Sequence, residues 1–510
     1  MSFKKVFSIS WIAFTAIAAI WSFSVPLGGG PDESMHAIKA ASVVRGHLIG
    51  SPQGRPDSDP ATAARIPAAY WDFQKSQDCY AAHPEVPASC APRVHGGGGD
   101  ADIPTTAGRY PPLYYLLVGT PSLFLSPSHA FAGMRLINAV LSGACLAAAL
   151  ALAFRARRTM LALAVSVAAT PQAVFLGGVV NPNGLEIALA VLVWTSGLLL
   201  FSREQPEPAR GLTAVLTTAL ALFILMRGLS PVWAVMIALT VVILTPAGTI
   251  RTVLWNRTGA IMTGVTAVVG IAAVAWIFAA HALNLLQLPA FEHTPLSVAV
   301  RGLISRTPGY ITQLIGPVGA LDTPVSYLAI VGWIAVVGML MLLAFAVGSA
   351  RERIALLFIV LGLLILPVAL SANTVHSSGY AWQGRYGLPF AVGMPLVAAC
   401  TLDRQKALFA PLQRGLTATV VLLLGTAEIT SIVNALHRWA KGTEGSLNLF
   451  RTQWHSAPAM VGLVAASVVA YAGYRWWIDA LCARIASSPA AIPPGTEEPT
   501  RRLIPEGIPG

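Results

Sequence analysis

Residues 3–36 read FKKVFSISWIAFTAIAAIWSFSVPLGGGPDESMH, and this stretch sets both the class of the protein and the place to look for its chemistry. Phe7 to Val25 is an unbroken apolar run behind Lys4 and Lys5, long enough to cross about 30 Å of hydrocarbon as a helix. It ends in Pro-Leu-Gly-Gly-Gly-Pro without an Ala-x-Ala cleavage site, so it reads as an uncleaved anchor (residues 1–25) with a cytoplasmic N-terminus. Directly beyond it stand two acids and a histidine, Asp32, Glu33 and His36.

The pattern repeats along the chain. Further apolar runs lie at 133–154, 159–179, 183–202, 211–227, 231–248, 259–281, 326–348, 354–371, 385–402, 414–435 and 457–479. Only 11% of the 510 residues are charged, against about 25% in a soluble domain. A cytosolic globular protein, a coiled coil, a disulfide scaffold and a disordered chain are thereby excluded. The expected fold is all-α: a polytopic helical membrane protein of about twelve spans.

Residues 110–126 (YPPLYYLLVGTPSLFLS) arbitrate the topology. If they crossed the membrane, Arg155, Arg157 and Arg158 would fall outside, against the rule that short cytoplasmic loops collect Lys and Arg. If they lie at the outer interface, every short basic loop is cytoplasmic, and so are both termini. The segment is therefore read as an interfacial or re-entrant helix. The extracytoplasmic loop is 26–132, spans two to seven occupy 133–281, a second outer loop is 282–325, and spans eight to twelve occupy 326–481. The Pro-rich end, 482–510, reads as a disordered cytoplasmic tail. Cys79 and Cys90 fall in an oxidising compartment, where a disulfide is expected rather than two free thiols. The net charge of +11 is that of the cytoplasmic loops and suggests no nucleic-acid partner.

Charge outside the membrane is scarcer and more telling. Pro31 suits a first helical turn, and on the following helix Asp32 and Glu33 each lie about one turn from His36. Such a set supplies a general base or a divalent-metal site, or else the two acids merely complement a helix N-terminus. Arg135 (with Asn138 one turn on), Arg227 and Arg385 sit at outer ends of spans. Each alone could snorkel to headgroups; three on one leaflet fit an anionic phosphate, which guanidinium forks bind in bidentate fashion. Asn181-Pro182-Asn183 caps a helix or meets a sugar hydroxyl, Tyr110 anchors at headgroup level or stacks on a sugar, and Asp322 ends a turn. Glu186 and Glu428 lie in the outer parts of spans, where both could join an outer site. No Walker loop, dinucleotide fingerprint, zincin motif or nucleophile elbow is present.

In order, the landmarks are an anchor span, P-D-E-x-x-H, Y-P-P-L-Y, R-L-x-N, N-P-N, Gly319-Ala320-Leu321-Asp322-Thr323-Pro324, and Q-G-R-Y-x-x-P from Gln383 to Pro389. Together they resemble a bacterial family of membrane proteins of unknown function related to the GT-C glycosyltransferases, over residues 7 to 435 or so. The resemblance implies a polyprenyl-phosphate-linked sugar as donor, transfer on the outer face of the inner membrane, and a glycan, lipid or protein of the cell envelope as acceptor. It implies Asp32 as base with Glu33 beside it, and Arg135, Arg227 and Arg385 as ligands of the lipid phosphate. Gln383 and Tyr386 share the motif of Arg385, and His36 matches the pattern without an implied role. Some relatives of this type use a divalent metal. The alternative is a non-catalytic translocator of a lipid-linked glycan, which would show broken helices and charges deep in its spans.

Overall fold

The computed structural model describes residues 1–54, 60–92, 94, 98–202, 210–405, 411, 413–446, 454 and 457–487. The structure is mostly helical. Among the described residues nine helices are long and apolar enough to cross a bilayer. They include α1 (Phe3–Ser24), whose first turn is capped by Ser2, α5 (Pro127–Arg155) and α8 (Pro182–Leu200). Between these, α6 (Thr159–Ala168) and α7 (Pro171–Gly178) take the place of the expected span 159–179 and meet at 63°. The cause is Pro171, which cannot extend the preceding helix. The freed groups are satisfied by a loop: Thr170 donates to Leu314 O and Gln172 N to Ile315 O, both at 2.9 Å.

Two more expected spans are helical but short. Both α9 (Arg210–Ile224) and α10 (Ser230–Leu244) have 15 residues. After α11 (Ala247–Leu254), full-length spans resume with α12 (Arg257–Ala279). Following α13 (Leu296–Ser305) and α14 (Thr307–Thr312) come α15 (Tyr327–Val347) and α16 (Ala350–Ser371), which continues into α17 (Val375–Ser378). A 3-10 turn, Gly384–Gly387, then opens the span made of α18 (Leu388–Ala391) and α19 (Gly393–Arg404). The bundle closes with α20 (Gln413–Lys441) and α21 (Ala457–Ser487). Helix α21 buries Ile478, Leu481 and Cys482, so the expected tail at 482–510 begins too early. Residues 488–510 lie outside the described residues.

The 26–132 segment is more ordered than a polar loop suggests. It holds α2 (Glu33–Val43), α3 (Tyr70–Tyr80) and α4 (Leu113–Val118), and a small sheet that a purely helical reading did not anticipate. Its strands β1 (Ser51–Pro52), β2 (Thr62–Pro67) and β3 (Asp100–Thr105) pair antiparallel in that order, with Ala64 opposite Ile103. Cys79 and Cys90 are disulfide-bonded, with Cα atoms 6.1 Å apart. The 110–126 stretch holds no candidate span: α4 has six residues, about 9 Å, and gives way to a 3-10 turn. Tyr114, Tyr115 and Val118 are buried, while Leu116, Phe124 and Leu125 are exposed, the two-faced pattern of an interfacial segment. Gly119 lets α4 lie directly on α2, because a side chain there would strike the Ala40 carbonyl. On α2, fully buried Lys39 donates to the carbonyls of Leu48 and Gly108, fastening two loops beside the helix.

Candidate functional site

The consecutive acids of the motif have separate fates. Glu33, on the first turn of α2, is fully buried against Arg135 of α5. Arg135 Nε and Nη2 donate to Glu33 Oε1 and Oε2 at 2.7 and 2.6 Å. Its remaining N–H groups reach the carbonyls of Ser22, Val25 and Pro26. Glu33 also accepts from Gly30 N at 2.9 Å and Val180 N at 2.8 Å. All five donors of the guanidinium and both carboxylate oxygens are engaged. This corrects two expectations: Arg135 has no donor left for a phosphate, and Glu33 has neither access nor lone pairs for base chemistry. The pair fastens the end of α1, the start of α2 and the end of α7 to α5. Asn138, one turn along, does similar work, its Nδ2 within 2.7–3.0 Å of the Leu176, Gly177 and Val179 carbonyls. It caps α7 and does not face a ligand.

Asp32 points the other way. Its backbone is left-handed, φ 53°, ψ 20°, a conformation uncommon outside glycine and found at constrained sites. Although it is the N-cap of α2, its side chain makes no capping hydrogen bond. It therefore satisfies none of the free backbone N–H groups of that helix end. The carboxylate instead accepts from Arg385 Nη2 at 3.1 Å, with 60% of the Asp32 side chain accessible and only 2% of Arg385. Arg385 rides on the 3-10 turn, where Gln383 Oε1 holds its Nε at 2.6 Å and Gln313 accepts from Gly384 N. The Tyr386 ring carries two guanidiniums, that of Arg385 at 5.2 Å and that of Arg227 at 4.8 Å from its centroid.

Arg227 lies between α9 and α10, backed by a carboxylate cage. Glu186, one turn into α8, is 3.7 Å from Arg227 Nη1. Glu186 is held by Ser230 Oγ at 2.6 Å and Asn183 Nδ2 at 2.8 Å. Asn181, not Asn183, caps α8, and its Nδ2 donates to Pro31 O at 2.8 Å, drawing this helix against the acidic motif. On the far side, His36 Nδ1 shares a hydrogen bond of 2.9 Å with the Tyr115 hydroxyl and stacks obliquely on Tyr110, centroids 5.8 Å apart.

These neighbours set the protonation states. Desolvation by the surrounding walls opposes ionisation of Asp32, but the guanidiniums of Arg385 and Arg227 outweigh it and hold the carboxyl below its ordinary value. His36 is pushed down to about 3, first by burial and then by the two arginines, so its imidazole is neutral at neutral pH. Burial pushes the Tyr110 hydroxyl up, keeping it a neutral donor. The site therefore holds an ionised, reachable carboxylate between two permanent cations.

An apolar groove of about 340 Å³ reaches Arg227. Val43, Leu48, Pro111, Leu225, Trp276 and Ile277 are among its walls, and Arg227 is the one charged side chain among its described lining residues. The loops that Lys39 fastens form part of this wall. A second cavity, about 580 Å³, lies at the opposite end of the bundle around Arg158, Arg351, Glu352 and Arg404, and shares no lining residue with the groove.

Asp322 is elsewhere. It pairs with Arg438 at 3.2 Å and accepts from Ala82 N at 3.0 Å, clamping the disulfide-bonded segment to α20. Glu428 accepts from Trp21 inside the bundle and does not join the Asp32 site. Among the described residues no group of three His, Cys, Asp or Glu side chains is placed to hold a metal ion. Sequence reasoning passed over Tyr115 and Ser230; a hydroxyl in an apolar run was the only signal either gave.

The helices and this polar end define a polytopic helical membrane protein. The chain belongs to the family described as predicted membrane protein (DUF2142), whose model matches residues 15–394. In fold it is similar to ArnT from Cupriavidus metallidurans bound to undecaprenyl phosphate, with 15% identity, a TM-score of 0.44, and coverage of 95% of this chain and 76% of that one. The apo state of the same protein gives 14% identity, a TM-score of 0.43, and coverage of 94% and 78%. No curated protein matches the chain.

Proposed function

We propose that the protein is a GT-C-type glycosyltransferase that moves a sugar from a polyprenyl-phosphate donor to an envelope acceptor on the outer face of a bacterial inner membrane. The observation that carries this reading is an apolar groove that ends at Arg227, whose guanidinium shares the Tyr386 ring with Arg385, the partner of the reachable Asp32 carboxylate. The groove suits a lipid chain, and Arg227 with Arg385 suits the phosphate at its head. In the reaction the acceptor oxygen attacks the anomeric carbon and its proton passes to Asp32. The carbon–oxygen bond to phosphate breaks, and its electron pair leaves with the phosphate, whose charge the arginines stabilise.

The side of the membrane follows from the arginines at the other end. Arg155 ends α5, and Arg257, Arg351 and Arg353 stand at the starts of α12 and α16, all remote from Asp32. Cytoplasmic placement of that end puts the site outside. The break between α6 and α7 is what a translocator would offer, but Leu314 and Ile315 plug it and it does not line the groove.

The test is sugar transfer by the purified, reconstituted protein from synthetic polyprenyl-phosphate donors. Asp32→Asn is expected to lower the rate by about 100-fold or more, the scale of a lost general base. Undiminished transfer by that variant would remove Asp32 from the chemistry.

A further inference from the structure

We propose that donor phosphate and Asp32 compete for Arg385, so that donor binding releases Asp32 and raises its strength as a base. This rests on the reading of the groove as a lipid-phosphate site, and adds an order of events to it.

The geometry of one guanidinium carries the inference. Arg385 Nε is committed to Gln383, and Nη2 holds Asp32. Nη1 donates to none of the described residues. The fork left for bidentate contact with a phosphate is therefore the Nη1–Nη2 edge, where Asp32 already takes one of the two N–H groups of Nη2 and sets its negative charge beside the edge. Arg385 cannot turn to serve both, because it is 2% exposed, tied at Nε and set against Tyr386. Asp32 is the partner free to yield. It is mostly accessible, has a single contact to the guanidinium, and sits on a left-handed backbone that is costly for a residue with a side chain. The Tyr386 ring is shared by Arg385 and by Arg227, the charged residue at the end of the groove.

The chemical consequence has a definite sign. The groups facing Asp32 are Arg385, Arg227, His36 and Tyr110. Without donor, the two arginines hold the carboxylate ionised and weakly basic. A phosphate that takes up their charge raises the proton affinity of Asp32, which then accepts the hydroxyl proton of the acceptor more readily. Before the donor arrives, the base is masked.

A double-mutant cycle separates competition from simple repulsion. Dodecyl phosphate serves as the probe, titrated into the full-length protein in detergent and followed calorimetrically. Asp32→Asn is expected to tighten binding about threefold to fivefold, the scale of a partly exposed ion pair, and to change it little in an Arg385→Gln background. Equal tightening in both backgrounds, or none in either, overturns the competition. In parallel, the wild-type protein at mildly acidic pH is expected to gain a protonated-carboxyl infrared band on addition of the probe, a band missing from Asp32→Asn. A spectrum unchanged by bound probe also overturns it. Failure of the probe to bind, or binding indifferent to Arg227→Gln and Arg385→Gln, instead defeats the donor-site reading beneath it.

Discussion

Asp32 and Glu33 are neighbours in the chain, and each meets an arginine, yet the two pairs differ in almost every physical respect. Glu33–Arg135 is closed: both side chains are inaccessible and every donor and acceptor is used. Asp32–Arg385 is open, a single contact with one partner buried and the other exposed. A saturated ion pair can only hold elements together, while an unsaturated one at the end of a groove can exchange partners. A single peptide bond separates the closed pair from the open one.

The sharpest way to break this comparison is to cut the closed pair. Glu33→Gln or Arg135→Met leaves an uncompensated buried charge, a loss of about 3–5 kcal/mol. A large fall in thermal midpoint and in recoverable protein is expected; stability close to wild type would show that the pair fastens nothing. Acidification tests the wall beside the open pair. His36 titrates near 3 in the folded protein against about 6.5 unfolded, so between those values the unfolded chain binds the extra proton. Its contribution is complete above pH ~6.5 and is lost on acidification, by about 2 kcal/mol at pH ~5. The thermal midpoint of His36→Gln should depend less on pH over that window than wild type, and parallel curves would contradict a neutral, buried His36. The smallest effect is expected at the open pair itself. Asp32→Asn should shift stability by less than ~1 kcal/mol, as an exposed partner does, while abolishing most transfer. A drop as large as that of Glu33→Gln would erase the distinction.

Much of this was legible beforehand, and the rest failed for identifiable reasons. Apolar run length gave the long helices, because span length follows from bilayer thickness. Gln383, Arg385 and Tyr386 were legible as a unit, since their spacing puts them on one turn. Spacing could not divide the labour of Asp32 and Glu33, because the left-handed backbone at Asp32 takes its side chain off the helical wheel. Nor could it separate Arg135 from Arg227. Both end apolar runs, and only the arrival of α2 beside α5 decides which is consumed. The bend at Thr170-Pro171 was readable from its proline, but the run of apolar residues on both sides concealed it. The sheet rests on one strand of two residues and two of six, too short to announce themselves.

The shortness of α9 and α10 has a consequence for the lipid around the protein. Fifteen residues rise about 22 Å, some 8 Å less than the hydrocarbon they must match. A bilayer meets such a mismatch by thinning, which carries headgroups and water inward. Arg227 sits in the turn between these two helices. Thinning there would bring the membrane surface down to the groove, and under the proposed function a lipid phosphate arriving at Arg227 would be spared part of the dehydration that deeper entry demands.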